Sequence, residues 1–137
     1  MPEIGEILYW MRRESRARRI MTIVVKRVYG PAEEEDGYRV LVERLWPRGL
    51  SKERAHVDLW LRDAGASTGL RTWFNHDPEK WEEFKRRYHD EIRGRPAVLE
   101  ALRGVLRAHD PVTFLFAARD EEHNNAVALK EFLESAG

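Results

Sequence analysis

A chain of 137 residues, 42% hydrophobic and 35% charged, fits one domain of ordinary size that can bury a single core. Its 24 basic residues match its 24 acidic ones, which argues against a general nucleic-acid coat but still permits a local basic patch. No apolar run approaches the roughly 20 residues of a membrane span, and the lack of cysteine excludes disulfides, thiol nucleophiles and cysteine-ligated zinc, so a cytoplasmic location is the default expectation.

Met1 to Ile20 reads as an appendage: a short apolar stretch is followed by five arginines within eight residues. Met21 directly precedes the first strand pattern, so the favoured reading makes residues 1–20 an extension upstream of the native start and 21–137 the domain. The alternative is an amphipathic helix whose Ile7, Trp10 and Met11 cover a neighbour. Thr22 to Val28 is rich in β-branched residues and predicts the first strand, ended by Gly30 and Pro31. Glu33 to Asp36 reads as a solvated acidic loop.

Val40, Leu41, Val42 and Leu45 form a short apolar run between Gly37 and the Pro47 to Gly49 turn, the pattern of an internal strand over Arg39–Leu45. Pro47 cannot donate to a ladder and turns Trp46 away from helix, so the strand stops there and its last side chains are exposed. Five basic and two acidic residues lie between Arg39 and Arg54, a local positive excess at a strand end where α/β sheets bind ligands. The competing reading pairs Arg44 with a carboxylate such as Asp63 or Asp120, buries Trp46 and leaves Arg48 and Lys52 as a solvated rim.

Ser51 is placed to cap a short helical turn, and Val57, Leu59 and Leu61 alternate with polar neighbours as in a half-buried strand, although a helix also accommodates them. Ser67 or Thr68 can cap a helix through Trp73. Asp77, Pro78 and Glu79 open the clearest helix, whose Trp81, Phe84, Tyr88 and Ile92 form one apolar face, with Glu82–Arg86 and Glu83–Arg87 pairs on the outside. Gly94 ends it and Pro96 opens another, with Val98, Leu99, Leu102, Val105 and Leu106 as a stripe. Val112 to Ala118 is the second internal strand, and a last helix carrying Val127, Leu129, Phe132 and Leu133 is expected to be capped by Asp120. The order predicts a single compact layered α/β domain with a small, at least partly parallel central sheet flanked by helices.

Three stretches, VLVERLWPRGLSK, LRTWFNHDPEKWEEFKRRY and FAARDEEHNNAVAL, together resemble the YeaO-like branch of the domain-of-unknown-function 488 family over about residues 22 to 135. The resemblance implies a compact α/β cytoplasmic domain whose recurrent polar positions match Arg44, Trp46, Arg48, Asp63, Ser67, Trp73, Phe74, His76, Tyr88, Arg119, Asp120, His123 and Asn124. Other branches carry cysteines after the last strand, where this chain reads AARDEEHNN, which lowers the expectation of catalysis. Asn75 and Asn125 stand where relatives are expected to have glycine and histidine.

On the chemistry itself, Asp120 and His123 are the candidate acid–base pair, because a carboxylate beside an imidazole fixes its tautomer. As a metal signature their spacing is weak and reads instead as a helix cap with one hydrogen-bonded histidine. No P-loop, GxGxxG or GxSxG appears, so no metal or cofactor is expected. Arg44, Arg48 and Arg119 converge if the two internal strands are parallel neighbours; with Trp46 or Trp73 as a stacking face and Ser67, His76 and Asn124 nearby, they predict a pocket for a small phosphate-bearing or nucleotide-like anion, with or without hydrolytic chemistry. The alternatives are a nucleic-acid groove, or an adaptor that has lost an ancestral active site. Oligomeric state is left open.

Overall fold

The computed structural model describes residues 22–136, so the reading of Met1 to Ile20 lies outside the described residues. Four strands, β1 (Ile23–Arg27), β2 (Tyr38–Leu41), β3 (Leu59–Trp60) and β4 (Val112–Phe116), form one sheet in the order β1-β4-β2-β3. Every pairing is parallel. The two internal apolar runs therefore are neighbours, with Val40 opposite Phe114 and Leu41 opposite Leu115. All five residues of β4 are buried, as expected for a strand covered on both faces.

Alternation along β2 and β4 divides the interior. Val40, Val112, Phe114 and Phe116 face the larger core, which is closed by α2 (Thr68–Phe74), α3 (Trp81–Arg93), α4 (Pro96–Ala108) and α5 (Asn125–Ala136). Leu41 and Leu115 face a smaller cluster under the loop that carries α1 (Lys52–Ala55), where Ala55, Trp46, Leu50 and Trp60 complete the contact. Ser51 caps α1 and Ser67 caps α2 through their hydroxyls, as their positions predict. The aromatic stripe of α3 is core: Trp81, Phe84, Tyr88 and Ile92 are all buried, and the rings of Trp81 and Phe84 stack 5.7 Å apart.

Several details differ from the sequence reading, each for a physical reason. The β2 ladder stops at Leu41 rather than Leu45, and Leu45 is 62% exposed. Past Leu41 the chain keeps one ladder bond, Val42 N–H to Leu115 O at 3.3 Å. The Val42 carbonyl then accepts from the Asn125 side chain, so a side-chain amide replaces the next strand bond. Gly65 lies against this exit: a Cβ there would sit 2.7 Å from the Arg44 nitrogen.

Asp36 is not solvated. It is buried, its carboxylate accepts from Lys26 Nζ, the Glu33 N–H and Arg39, and its carbonyl accepts from Thr113 Oγ1 at 2.6 Å. Arg39 is buried with it and spends its remaining donors on the His56 and Ala55 carbonyls, both at 2.9 Å. Burial alone raises the Asp36 pKa, but the bonds from Glu33, Lys26 and Arg39 outweigh it and hold the carboxyl below its usual range. The positive excess counted from Arg39 is thus smaller in space than in sequence. On α3 the exposed pairs are also re-sorted: Glu83 takes both Arg86 and Arg87, while Glu82 pairs with Lys85.

Truncating Trp81 to alanine is expected to cost about 3 to 5 kcal/mol, the range for a large buried aromatic. Urea denaturation of the variant reads this directly; a loss under about 1 kcal/mol would contradict the packing described for α3.

Candidate functional site

The carboxyl ends of β2 and β4 open into a cleft of about 510 Å³, on the face packed by α2, α3 and α5. This is the edge where parallel α/β sheets place ligands. Glu43 and Leu45 line it from the β2 exit, Ala117 and Ala118 from the β4 exit, and His123 to Asn125 from the start of α5. The third wall is α2. Leu70 and Phe74 on this helix are buried, which turns Thr68, Arg71, Thr72 and Asn75 outward along one face; they recur at helical spacing and all border the cleft. Phe74 and Phe84, with ring centroids 4.4 Å apart, form the apolar floor.

The turn after α2 brings His76 to the rim. Asn75 and His76 are consecutive left-handed residues with φ of 46° and 55°. Asparagine tolerates this conformation better than most residues with a Cβ, which explains how it can stand at a position where glycine is the natural helix terminator. Asn75 N–H returns to the Arg71 carbonyl at 3.0 Å and closes α2.

Glu43 is the carboxylate of the cleft. One oxygen, Oε1, accepts the Ala117 N–H at 3.1 Å, and its backbone carbonyl accepts the Trp60 indole N–H at 2.7 Å. Burial pushes the carboxyl pKa up; the Ala117 N–H and the Arg71 charge act against that shift without cancelling it. Beneath it Tyr88, fully buried, donates to the Ala64 carbonyl, and burial pushes its phenol pKa up strongly.

Asp120 and His123 form the expected pair. The Nδ1–H of His123 donates to Asp120 Oδ2 at 2.9 Å, while Asp120 Oδ1 accepts the backbone N–H of Glu122 and His123. The His123 bond is the first cause holding the Asp120 carboxyl below its usual range. With Nδ1 committed, Nε2 is the nitrogen left for other contacts, and the ring stands edge-on to Trp81 at 5.3 Å. Asp120 does not cap α5. That duty falls to Asn124, whose Oδ1 accepts the Val127 N–H at 3.0 Å and whose amide donates to the Asp120 carbonyl.

Of the residues singled out from sequence, the cleft brings together Phe74, Asn75, His76, His123, Asn124 and Asn125, with Asp120 behind His123. The others lie elsewhere. Arg44 donates to the Ala66 carbonyl at 2.9 Å and sits 3.8 Å from Asp63, and Trp46 packs edge-on to Trp60 in the smaller cluster. Arg48 is exposed, and its carbonyl accepts from the Tyr29 hydroxyl. Ser67 caps α2 and bonds Glu91 through both its amide and its hydroxyl. Trp73 carries two cations over its ring, Arg87 4.3 Å and Lys80 5.2 Å from the centroid. Arg119 is exposed and makes no hydrogen bond or ion pair among the described residues. The cation that does line the cleft, Arg71, was not singled out, nor was Glu43. Both carry a sequence signal: Arg71 lies on the polar stripe Thr68, Arg71, Thr72, Asn75, and Glu43 interrupts an apolar run.

Among the described residues no group of three or more His, Asp or Glu side chains is placed to hold a metal ion, and no helix is long and apolar enough to cross a membrane. Compared with known proteins, residues 22–137 match the family model described as the inactive DUF488-N3 subclade. The chain is 37% identical over 123 residues to an uncharacterised protein of Mycobacterium tuberculosis (strain H37Rv), covering 90% of this chain and 98% of that one. It is 36% identical over 115 residues to the uncharacterised protein YeaO of Escherichia coli K12, covering 84% of this chain and 99% of YeaO. No solved structure matches.

The raised Glu43 pKa has a readable consequence. Between the ordinary glutamate range and the native value the folded protein holds a proton that the unfolded chain has released, so rising pH costs stability across that window. Glu43→Gln keeps an acceptor for Ala117 and removes the titration. Denaturation measured from about pH 4 to about pH 7 is expected to show less loss of stability with rising pH in this variant than in the wild type, and equal slopes would contradict the environment described for Glu43.

Proposed function

The chain belongs to the DUF488 family, in the subclade described as inactive DUF488-N3, and from that premise we propose that the strand-end cleft is a binding site without catalysis, for a small oxyanion-bearing ligand of the phosphate-ester or nucleotide-like class. Arg71 is the anchor. Its guanidinium makes no hydrogen bond or ion pair among the described residues, and a planar cation of this kind gives paired, charge-assisted bonds to a phosphate or carboxylate. His76 and the Nε2 edge of His123 add polar contacts at the rim, and the floor of Phe74 and Phe84 suits the flat body of an organic ligand.

The observation that carries this reading is the convergence of Arg71, His76 and His123 on one concave space, while Arg44 is drawn toward Ala66 and Asp63. Concavity favours a small ligand over an extended strand. The subclade description, together with the lack of an activated serine, threonine or cysteine nucleophile in the cleft, supports binding rather than turnover.

A thermal-shift screen against nucleotides, sugar phosphates, short oligonucleotides and divalent cations tests the reading. Phosphate-bearing small molecules are expected to raise the melting temperature of the wild type. Arg71→Ala is expected to weaken such binding by about 1.5 to 3 kcal/mol, the worth of hydrogen bonds to a charged group, while Arg44→Ala leaves it nearly unchanged. Stabilisation by oligonucleotides alone, or sensitivity to Arg44 and not to Arg71, would overturn the assignment.

A further inference from the structure

Glu43 places a carboxyl group in the same cleft as Arg71, an arrangement that at first sight opposes an anionic ligand. Its two oxygens are not equivalent. Oε1 is committed to the Ala117 N–H, whereas Oε2 takes no hydrogen bond from any described residue. No buried side-chain oxygen or nitrogen among the described residues lacks a partner, so Oε2 meets solvent, and Glu43 borders the cleft. We propose that an oxyanion enters this cleft together with a proton, which Glu43 Oε2 then carries as a hydrogen-bond donor to one ligand oxygen while Arg71 holds another. The inference rests on the reading of the cleft as an oxyanion receptor and names how that receptor chooses its ligand.

The groups facing Glu43 support the coupling. Arg71, from α2, is the charge that favours ionised Glu43. Tyr88, from α3, is neutral and bonded to Ala64, and Asn125, from α5, is neutral and bonded to Val42. His123 and His76 border the same space. An anion seated on Arg71 offsets the positive charge that favours ionised Glu43 and adds a negative charge in its place. Both changes favour the neutral acid. Burial already disfavours the carboxylate, so the added proton meets a group predisposed to hold it.

The proton balance is simple: one proton from solvent forms an O–H bond on Oε2, no bond to the ligand is made or broken, and the proton leaves with the ligand. The arrangement also selects chemically. A neutral carboxyl donor and a guanidinium side by side suit a group that offers two acceptor oxygens, and disfavour a ligand that presents only N–H donors. Binding therefore tightens as pH falls through the range in which Glu43 takes up its proton.

Inorganic sulfate is the probe, because its charge stays constant across the range needed, and amide chemical-shift titration of the full chain reads weak binding residue by residue. For the wild type the dissociation constant is expected to fall about 3-fold or more between about pH 7.5 and about pH 5.5. His76→Gln and His123→Gln, each removing another group able to take a proton, are expected to keep that change. Glu43→Gln, which offers an N–H donor at every pH, is expected to lose most of it. In the wild type alone, the carbon-13 signal of the Glu43 carboxyl is expected to titrate at higher pH with saturating sulfate than without.

A pH dependence that survives in Glu43→Gln, or that vanishes in either histidine variant, overturns the inference. So does a Glu43 titration that sulfate leaves unmoved while the cleft amides shift, a result that would leave the oxyanion reading standing. If sulfate shifts no cleft amide at either pH, the oxyanion reading and the inference fall together.

Discussion

The cleft exists because of the way the backbone leaves β2. At Val42 and Glu43 the chain stops pairing as a strand, and four contacts from three other segments hold it: Val42 N–H to Leu115, Val42 O to Asn125, Glu43 O to the Trp60 indole and Glu43 Oε1 to the Ala117 N–H. Each satisfies a group that would otherwise be left unpaired at a partly buried strand end. Without the Asn125 amide the strand has every reason to continue alongside β4, because Leu41, Val42 and Leu45 are as strand-prone as the residues before them. The early exit parts the two chains, and the space between them becomes the cleft.

The same segment couples the two sides of the sheet. On the larger side, Gly65 packs against the Glu43–Arg44 backbone, and the Arg95 guanidinium ties the Asp63 and Gly65 carbonyls to the start of α4 at 2.9 and 2.8 Å. On the smaller side, Trp46 and Trp60 hold the loop that carries α1, while the Arg39–Asp36 pair fastens that loop to the sheet. Removing one partner of a buried pair of this kind leaves an uncompensated charge, so the network is a structural commitment and not a reserve of free cations. Hence the two arginines of β2 and its exit, Arg39 and Arg44, are occupied with the fold, while Arg48 and Arg119 are exposed and not part of the cleft lining. Arg71, which arrives from a helix, is unoccupied.

The architecture was legible because hydrophobic pattern and punctuation act locally. The continuous apolar runs at Val40 and Val112, the Ser51, Ser67 and Asp77 caps, and the aromatic stripe of α3 are all decided by neighbours within a few residues. The site was only half legible. Asp120 and His123 are three residues apart and find each other locally, so their pairing could be anticipated. Which arginine enters the cleft depends on contacts across the fold: Arg44 is diverted by Ala66, 22 residues away, and β2 is cut short by Asn125, 83 residues away. Asp36 misled for the same reason, since its partners Lys26 and Thr113 come together only in the folded sheet. Sequence proximity to a strand end locates a site; long-range pairing decides which side chains remain available to serve it.

The central claim is that Arg71 and Glu43 jointly receive an oxyanion in the cleft. Its most direct test is anomalous diffraction from crystals soaked in selenate, whose heavy atom marks its own position. The expected result is a peak within hydrogen-bonding reach of the Arg71 guanidinium and of Glu43 Oε2, above the rings of Phe74 and Phe84. A peak held instead by Arg44, Arg48 and Lys52, with the cleft empty at the same soak concentration, would contradict it.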